Sequence, residues 1–181
     1  AEFGSAIAAA RVEIVRLLSG MMEQLPDDGP FPKADLILEG GIEALLSSGV
    51  SASDVEDQYR QMLAGNRPRD AAAGRTLDGP HRSDLLVMHR PKSMPANLSS
   101  TGEQKALLIG IVLSHARLVA RMTGSAPVLL LDEIAAHLDA GRREALFGII
   151  DDIGSQAFMT GTDRSLFAAL EGRAEFLAVS H

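Results

Sequence analysis

The residues whose types and spacing could do chemistry lie in two runs. The first is Ser100-Thr101-Gly102-Glu103-Gln104, and the second is Val128-Leu129-Leu130-Leu131-Asp132-Glu133 followed by Ala136-His137-Leu138-Asp139. An aliphatic strand ending in Asp-Glu delivers adjacent carboxylates to the carboxyl edge of a sheet, where α/β proteins bind ligands. Such a pair suits nucleotide hydrolysis. Asp132 would hold magnesium through its water shell, because magnesium takes a few hard oxygen ligands and keeps several waters. Glu133 would orient or deprotonate the attacking water. Taken alone, the same acids could instead cap the next helix, and the two readings stand about even. Asp139, six residues beyond Glu133, shifts the balance toward chemistry.

Ser100 and Glu103 are also open to two readings. Ser-x-x-Glu is the capping box of an ordinary helix. Yet Gly102 in the first turn carries a helix penalty of roughly 0.8 to 1 kcal/mol relative to alanine. Its missing side chain also lets a phosphate approach the backbone N–H groups at the positive end of the helix. Capping and phosphate binding are compatible.

The elements that must position these residues follow from periodicity. Helix 101–122, strand 127–132, helix 140–152, strand 156–160, helix 163–171 and strand 174–179 alternate, and apolar strands in such a series predict a parallel sheet buried by helices. Upstream, Ser5 is positioned to cap a helix whose apolar residues Ile7, Ile14, Val15, Leu18, Met21, Met22 and Leu25 recur at three- and four-residue spacing. A strand around Leu36 and Leu38 precedes a short helix. Ser53 and Glu56 form a second capping-box pattern, for a helix broken at Pro68 and ending near Gly74. Asp84 to His89 reads as a strand. The organisational boundary falls near residues 91 to 97.

Composition bounds the function classes. With 181 residues, 46% of them hydrophobic, the chain can bury a real core. The absence of cysteine excludes disulfides and thiolate–zinc sites and fits a cytoplasmic location. The longest apolar stretch, Ala106 to Leu113, is too short to span a bilayer and has Lys105, His115 and Arg117 beside it, so no membrane segment is expected. The start, Ala1-Glu2-Phe3-Gly4-Ser5, has no initiator methionine and reads as mid-protein. A formal charge of −7 opposes bulk attraction to DNA, so any nucleic-acid contact must be local. Two basic groups stand out, Arg67, Arg69 and Arg75, then His81 with Arg82, and a solvated helix face is the favoured reading of both.

In order, the signature-like Ser100–Glu103 run, the long helix, the Asp132-Glu133 strand and Leu138-Asp139 resemble the ABC-type ATPase fold of transporter motors and chromosome-maintenance proteins. Within it, Ser100 to Leu108, with Gly79-Pro80-His81-Arg82 upstream and Thr160-Gly161-Thr162-Asp163 downstream, resembles the RecF family of recombination mediators in bacterial gap repair. The resemblance is specific over residues 74 to 163. It implies the following roles. Ser100, Thr101, Gly102 and Glu103 form the signature motif, reaching across an ATP-bound homodimer to the other subunit's γ-phosphate. Asp132 is the magnesium-associated aspartate, Glu133 the catalytic glutamate and Asp139 the D-loop aspartate, and Thr162 lies near the nucleotide. It further implies ATP and Mg2+ as cofactors, single-stranded and gapped duplex DNA as ligand, RecR as a partner and, through it, RecO and RecA. The complete protein would be a weak DNA-stimulated ATPase.

Two departures matter. Relatives carry a switch histidine where this chain has Thr160 to Asp163, and neither His137 nor His181 fills that position. The chain also has no Gly-x-x-x-x-Gly-Lys-Ser/Thr loop to cradle its own nucleotide. The expected fold is therefore α/β, the carboxyl-terminal half of an ABC-type P-loop ATPase lobe preceded by part of a helical arm. Residues 1–76 belong to the arm, 77–96 return by a turn and strand, and 97–181 complete the lobe. Such a piece is expected to be inactive in isolation. Two other readings are another SMC-like ABC-type ATPase, for which a nuclease carboxylate cluster or long heptads would be expected, and a non-catalytic interaction fragment presenting apolar helices.

Overall fold

The computed structural model describes residues 1–179; His181, named above, lies outside them. Helix α4 (Thr101–Thr123) is the spine. Its apolar residues are so dense that it buries two stripes rather than one. Ala106, Ile109, Leu113 and Ala116 face a core shared with Leu129, Leu131, Leu146, Phe147, Ile150 and Phe167. Leu107 and Leu118 face the opposite way, into a core with Leu18, Met21, Met22, Leu25 and Leu36. By length and composition α4 could cross a membrane, a property hidden when only the run Ala106 to Leu113 is counted. Here both its faces are spent on these cores.

On one side of α4 lies a βαβ unit. β4 (Leu129–Leu131) and β5 (Ala157–Met159) pair in parallel, Leu129 opposite Ala157 and Leu131 opposite Met159, joined by α5 (Ala140–Ile153). The ladder runs one bond further at each end, Leu129 N–H to Gln156 O at 2.9 Å and Thr160 N–H to Leu131 O at 3.1 Å. A parallel sheet and its helices are present as expected. The expected strand 174–179 is not: these residues carry no regular structure, with Leu177 and Val179 exposed. They have apolar composition but no ladder to join, and composition without a hydrogen-bonding neighbour does not make a strand. Residues 163–171 likewise form a short 3-10 segment, Arg164–Leu170, kinked at Phe167.

On the other side of α4, α1 (Glu2–Glu23) packs along it. Ser5 is not the cap of α1. The alanine-rich sequence carries the helix past it, and its hydroxyl donates back to Glu2 O at 2.9 Å from within the helix. β1 (Ala34–Glu39) pairs antiparallel with β2 (Asp84–His89), from Ala34 opposite His89 to Glu39 opposite Asp84, and β3 (Met94–Pro95) continues the sheet. This sheet and the α1–α4 packing both run across residues 91 to 97, where the sequence suggests a boundary. Between β1 and β2 come α2 (Gly41–Ser47) and α3 (Ala52–Ala73). Ser51, not Ser53, caps α3, accepting from Asp54 N–H at 3.2 Å. α3 also runs through Pro68 without a break, because the carbonyl that loses its donor belongs to Ala64 on an exposed turn, where water can satisfy it.

Leu113 is buried to 2% exposure in the core that backs β4 and α5. Leu113→Ala should therefore cost about 2 to 5 kcal/mol, read as a lower urea midpoint with an unchanged slope.

Candidate functional site

β4 ends at Leu131, which places Asp132 and Glu133 at the carboxyl edge of the parallel pair. Glu133 adopts a left-handed backbone, φ 49° and ψ 18°, and a short 3-10 turn, Ile134–His137, starts immediately after it. For a residue with a side chain this conformation costs on the order of 1 to 3 kcal/mol and persists only where neighbours hold it. The holding group is Thr160, one residue beyond β5. Glu133 N–H donates to Thr160 Oγ1 at 2.9 Å, and the Thr160 hydroxyl donates in turn to Asp132 Oδ1. One hydroxyl thus fixes both acidic residues, while both side chains stay exposed. Thr160 is a candidate site residue that sequence reasoning misses, because the register that sets it beside Asp132 cannot be read from one strand.

Among the described residues no three His, Cys, Asp or Glu side chains gather to hold a metal. A single exposed carboxylate such as Asp132 does suit magnesium, which takes its remaining oxygens from water and phosphate.

The second cluster opens α4. Ser100 Oγ accepts from Glu103 N–H at 3.4 Å, and Ser100 N–H and Oγ–H both donate to Glu103 Oε2, at 3.0 and 2.9 Å, so the capping box is complete. Lys92 completes the cluster through an ion pair with Glu103, a partner that no sequence pattern singles out. The Lys92 ammonium and the two Ser100 donors hold the Glu103 carboxyl at about 2, well below its ordinary value. Thr101 and Gly102 are exposed. A methyl group added at Gly102 would meet no atom within 4 Å. Packing within the chain therefore gives no reason for glycine at this position.

Asp139 caps α5, accepting from Arg142 N–H at 2.8 Å with Arg142 Nε 3.7 Å away. Thr162 is exposed and takes part in no side-chain hydrogen bond among the described residues. Asp163 caps the following 3-10 segment through Ser165 N–H at 2.8 Å, and that bond lowers its carboxyl below the ordinary value. The sequence-derived site residues thus form two local groups, Ser100 with Glu103 and Asp132 with Glu133. No hydrogen bond or ion pair among the described residues joins the two.

Because the Glu103 carboxyl sits lower in the folded chain than its ordinary 4.5, its stabilising contribution is complete above that ordinary value. It is lost as pH falls toward about 2. Stability curves of the wild type and Glu103→Gln should accordingly lie apart at neutral pH and converge through this window. A gap unchanged across it would mean the carboxylate's charge does not hold the cap.

No protein-family model matches the chain. Curated relatives do. The DNA replication and repair protein RecF of Mesorhizobium japonicum is 67% identical over 181 residues, all of this chain and 48% of that protein. RecF of Brucella abortus is 65% identical over 99% of this chain and 47% of its own length. Among solved structures, the recombination mediator protein RecF of the RecFOR pathway in its ATPrS form superposes with a TM-score of 0.74 at 23% identity, over 91% of this chain and 43% of that one. The ATP form gives 0.71 at 25% identity, over 91% and 44%. The chain spans about half the length of the curated relatives it matches. Its sequence is RecF-like throughout, and its α/β fold is that of part of an ABC-type ATPase of the RecF kind.

Proposed function

We propose that this chain is the carboxyl-terminal part of an ATP-dependent DNA replication and repair protein of the RecF kind, and that it supplies the hydrolytic acids and the trans-acting signature of a nucleotide-closed dimer. The observation that carries this reading is the Asp132–Thr160–Glu133 arrangement at the edge of a parallel sheet, in which one hydroxyl ties the Glu133 amide to the Asp132 carboxylate beside a left-handed backbone. Magnesium, where bound, would neutralise phosphate charge, with Asp132 holding it through its water shell. Glu133 would take the proton of the attacking water. Ser100 to Glu103 would meet a nucleotide held by the other subunit, the helix amino terminus presenting N–H groups to the γ-phosphate. Asp139 and Thr162 would line the same interface.

In this reading residues 1–76 belong to an arm, 77–96 to the returning strand and 97–181 to the ATPase lobe. The complete protein is a weak, DNA-stimulated ATPase of the cytoplasm. It closes as a homodimer on single-stranded and gapped duplex DNA and works with RecR, and through it with RecO and RecA. The absence of a P-loop from this sequence supports the division of labour, since the nucleotide's own cradle must then come from outside these residues.

Two variants test the assignment in the complete protein. Glu133→Gln keeps the shape and removes the base, so ATP turnover should fall by about 10² to 10⁴-fold while ATP still drives dimerisation. Turnover near wild type would remove Glu133 from the mechanism. Gly102→Ala should stabilise the isolated chain by about 0.4 to 1 kcal/mol, because nothing nearby resists the added methyl. In the complete protein it should weaken ATP-dependent dimerisation, measured by sedimentation with and without nucleotide. A Gly102→Ala protein that dimerises normally with ATP would return Ser100 to Glu103 to a capping role alone.

A further inference from the structure

One member of the first basic group, Arg75, meets both members of the second, His81 and Arg82, in the structure. Arg75, Thr76, Leu77, His81 and Arg82 line one surface cavity of about 280 Å³ between the end of α3 and the 3-10 turn Pro80–Arg82. This volume is several times the roughly 30 Å³ share of a liquid water, enough for a hydrated phosphate group. The cavity walls are built. Gly74 ends α3 in a left-handed conformation, and Leu77 N–H donates to Asp70 Oδ1 at 3.0 Å. His81 Nε2 and Thr76 O lie 3.0 Å apart as a hydrogen bond across the cavity floor. Gly79, at φ 150°, lets the chain pass where a side chain would come within 2.7 Å of the Tyr59 hydroxyl.

The lining carries two arginines, Arg75 and Arg82, and no carboxylate. Nearby, Asp78 pairs with Arg69 and accepts from Asn66 Nδ2, while Asp70 accepts from Leu77 N–H and keeps its charge. Arg75 and Arg82 are exposed, and the ion pairs and side-chain hydrogen bonds of the described residues include neither. In a chain of net charge −7, two guanidinium groups on one cavity, neither with a side-chain partner among the described residues, are a specific local feature. Guanidinium forks match phosphate oxygens bidentately. The one ring in the lining is the His81 imidazole, engaged through Nε2 with Thr76 O, and the lining has no run of glycines for a triphosphate.

We propose that this cavity is a binding site for a backbone phosphate of a polynucleotide, held by Arg75 and Arg82 without regard to base sequence. The anion chemistry comes from the residues themselves, and the choice of polynucleotide rests on the function proposed above.

The test is fluorescence anisotropy of a labelled single-stranded oligodeoxynucleotide with this chain across a potassium chloride series. The arms are wild type, the double variant Arg75→Ala/Arg82→Ala, and Arg67→Ala as a nearby α3 control outside the cavity lining. Both cavity arginines are exposed, and circular dichroism checks that the double variant folds. The double variant should bind about tenfold or more weakly, as expected when charged hydrogen bonds are removed. Its log–log salt slope should be shallower by about 0.7, the change for one phosphate no longer neutralised. Arg67→Ala should leave the slope unchanged. Inorganic phosphate, added at matched ionic strength, should displace the oligonucleotide from wild type better than from the double variant.

Equal affinity and slope in wild type and double variant overturn the site while leaving the DNA-repair reading intact. No polynucleotide binding by wild type, with phosphate still shifting the Arg75 and Arg82 guanidinium resonances, overturns the polynucleotide assignment and leaves a free-phosphate site. If the complete protein also fails to bind DNA, the function proposed above falls separately.

Discussion

Everything in this chain hangs on the two-sided burial of α4. A helix with one apolar stripe joins one layer, whereas α4 carries apolar residues on opposed faces and so must sit between two. Leu107 and Leu118 commit one face to α1 and β1; Ile109, Leu113 and Ala116 commit the other to β4 and α5. Gly110 lets the chain at Phe31 come close, since a Cβ there would stand 3.3 Å from the Phe31 Cβ. The amino terminus of α4 therefore projects from a helix that cannot rotate or slide without exposing one core or the other. Ser100 to Glu103 inherit a fixed direction from residues several turns away.

At the sheet edge, position is set by backbone and register rather than by burial. The aliphatic strand delivers Asp132, but a continued extended chain would send the next side chain to the opposite face. The chain leaves the strand in a left-handed turn at Glu133, and Thr160, one residue beyond the neighbouring strand, compensates the strain with a hydrogen bond to the Glu133 amide. The pair is thus a product of two strands in register. Either strand alone would present one carboxylate and an unconstrained neighbour.

Elements are legible in the sequence wherever a periodic apolar pattern meets a cap or breaker within a few residues. α4, α5 and β2 fall almost where expected, since Ser100 and Asp139 cap, and Gly124 and Gly154 stop, runs of unambiguous period. Legibility fails where the deciding partner is distant. Ser5 and Ser53 look like caps, but Ser5 lies inside α1 and Ser51 caps α3. Lys92 and Thr160 have no visible role until folding sets them beside Glu103 and Asp132. Arg75 and Arg82 read as separate members of a solvated face, because only the turn at Gly74 and the one at Gly79 bring them to one cavity. The acidic motif is legible as chemistry and opaque as geometry.

The run Val128 to Leu131 carries the same lesson in its side chains. Four consecutive aliphatic residues read as a strand covered on both faces, the usual state of a parallel sheet. In the structure Leu129 and Leu131 are buried, while Val128 and Leu130 point the other way, Leu130 with 78% of its surface exposed. Phe158 on β5 repeats the pattern at 57%. Pleating sends alternate residues to opposite faces, and among the described residues α4, α5 and Phe167 cover the face of Leu129 and Leu131. The sequence thus encodes two covered faces and the chain covers one. That imbalance agrees with a chain that spans about half the length of its relatives. An aliphatic strand with one wet face is what part of a larger α/β layer looks like when its hydrophobic pattern was set by the whole.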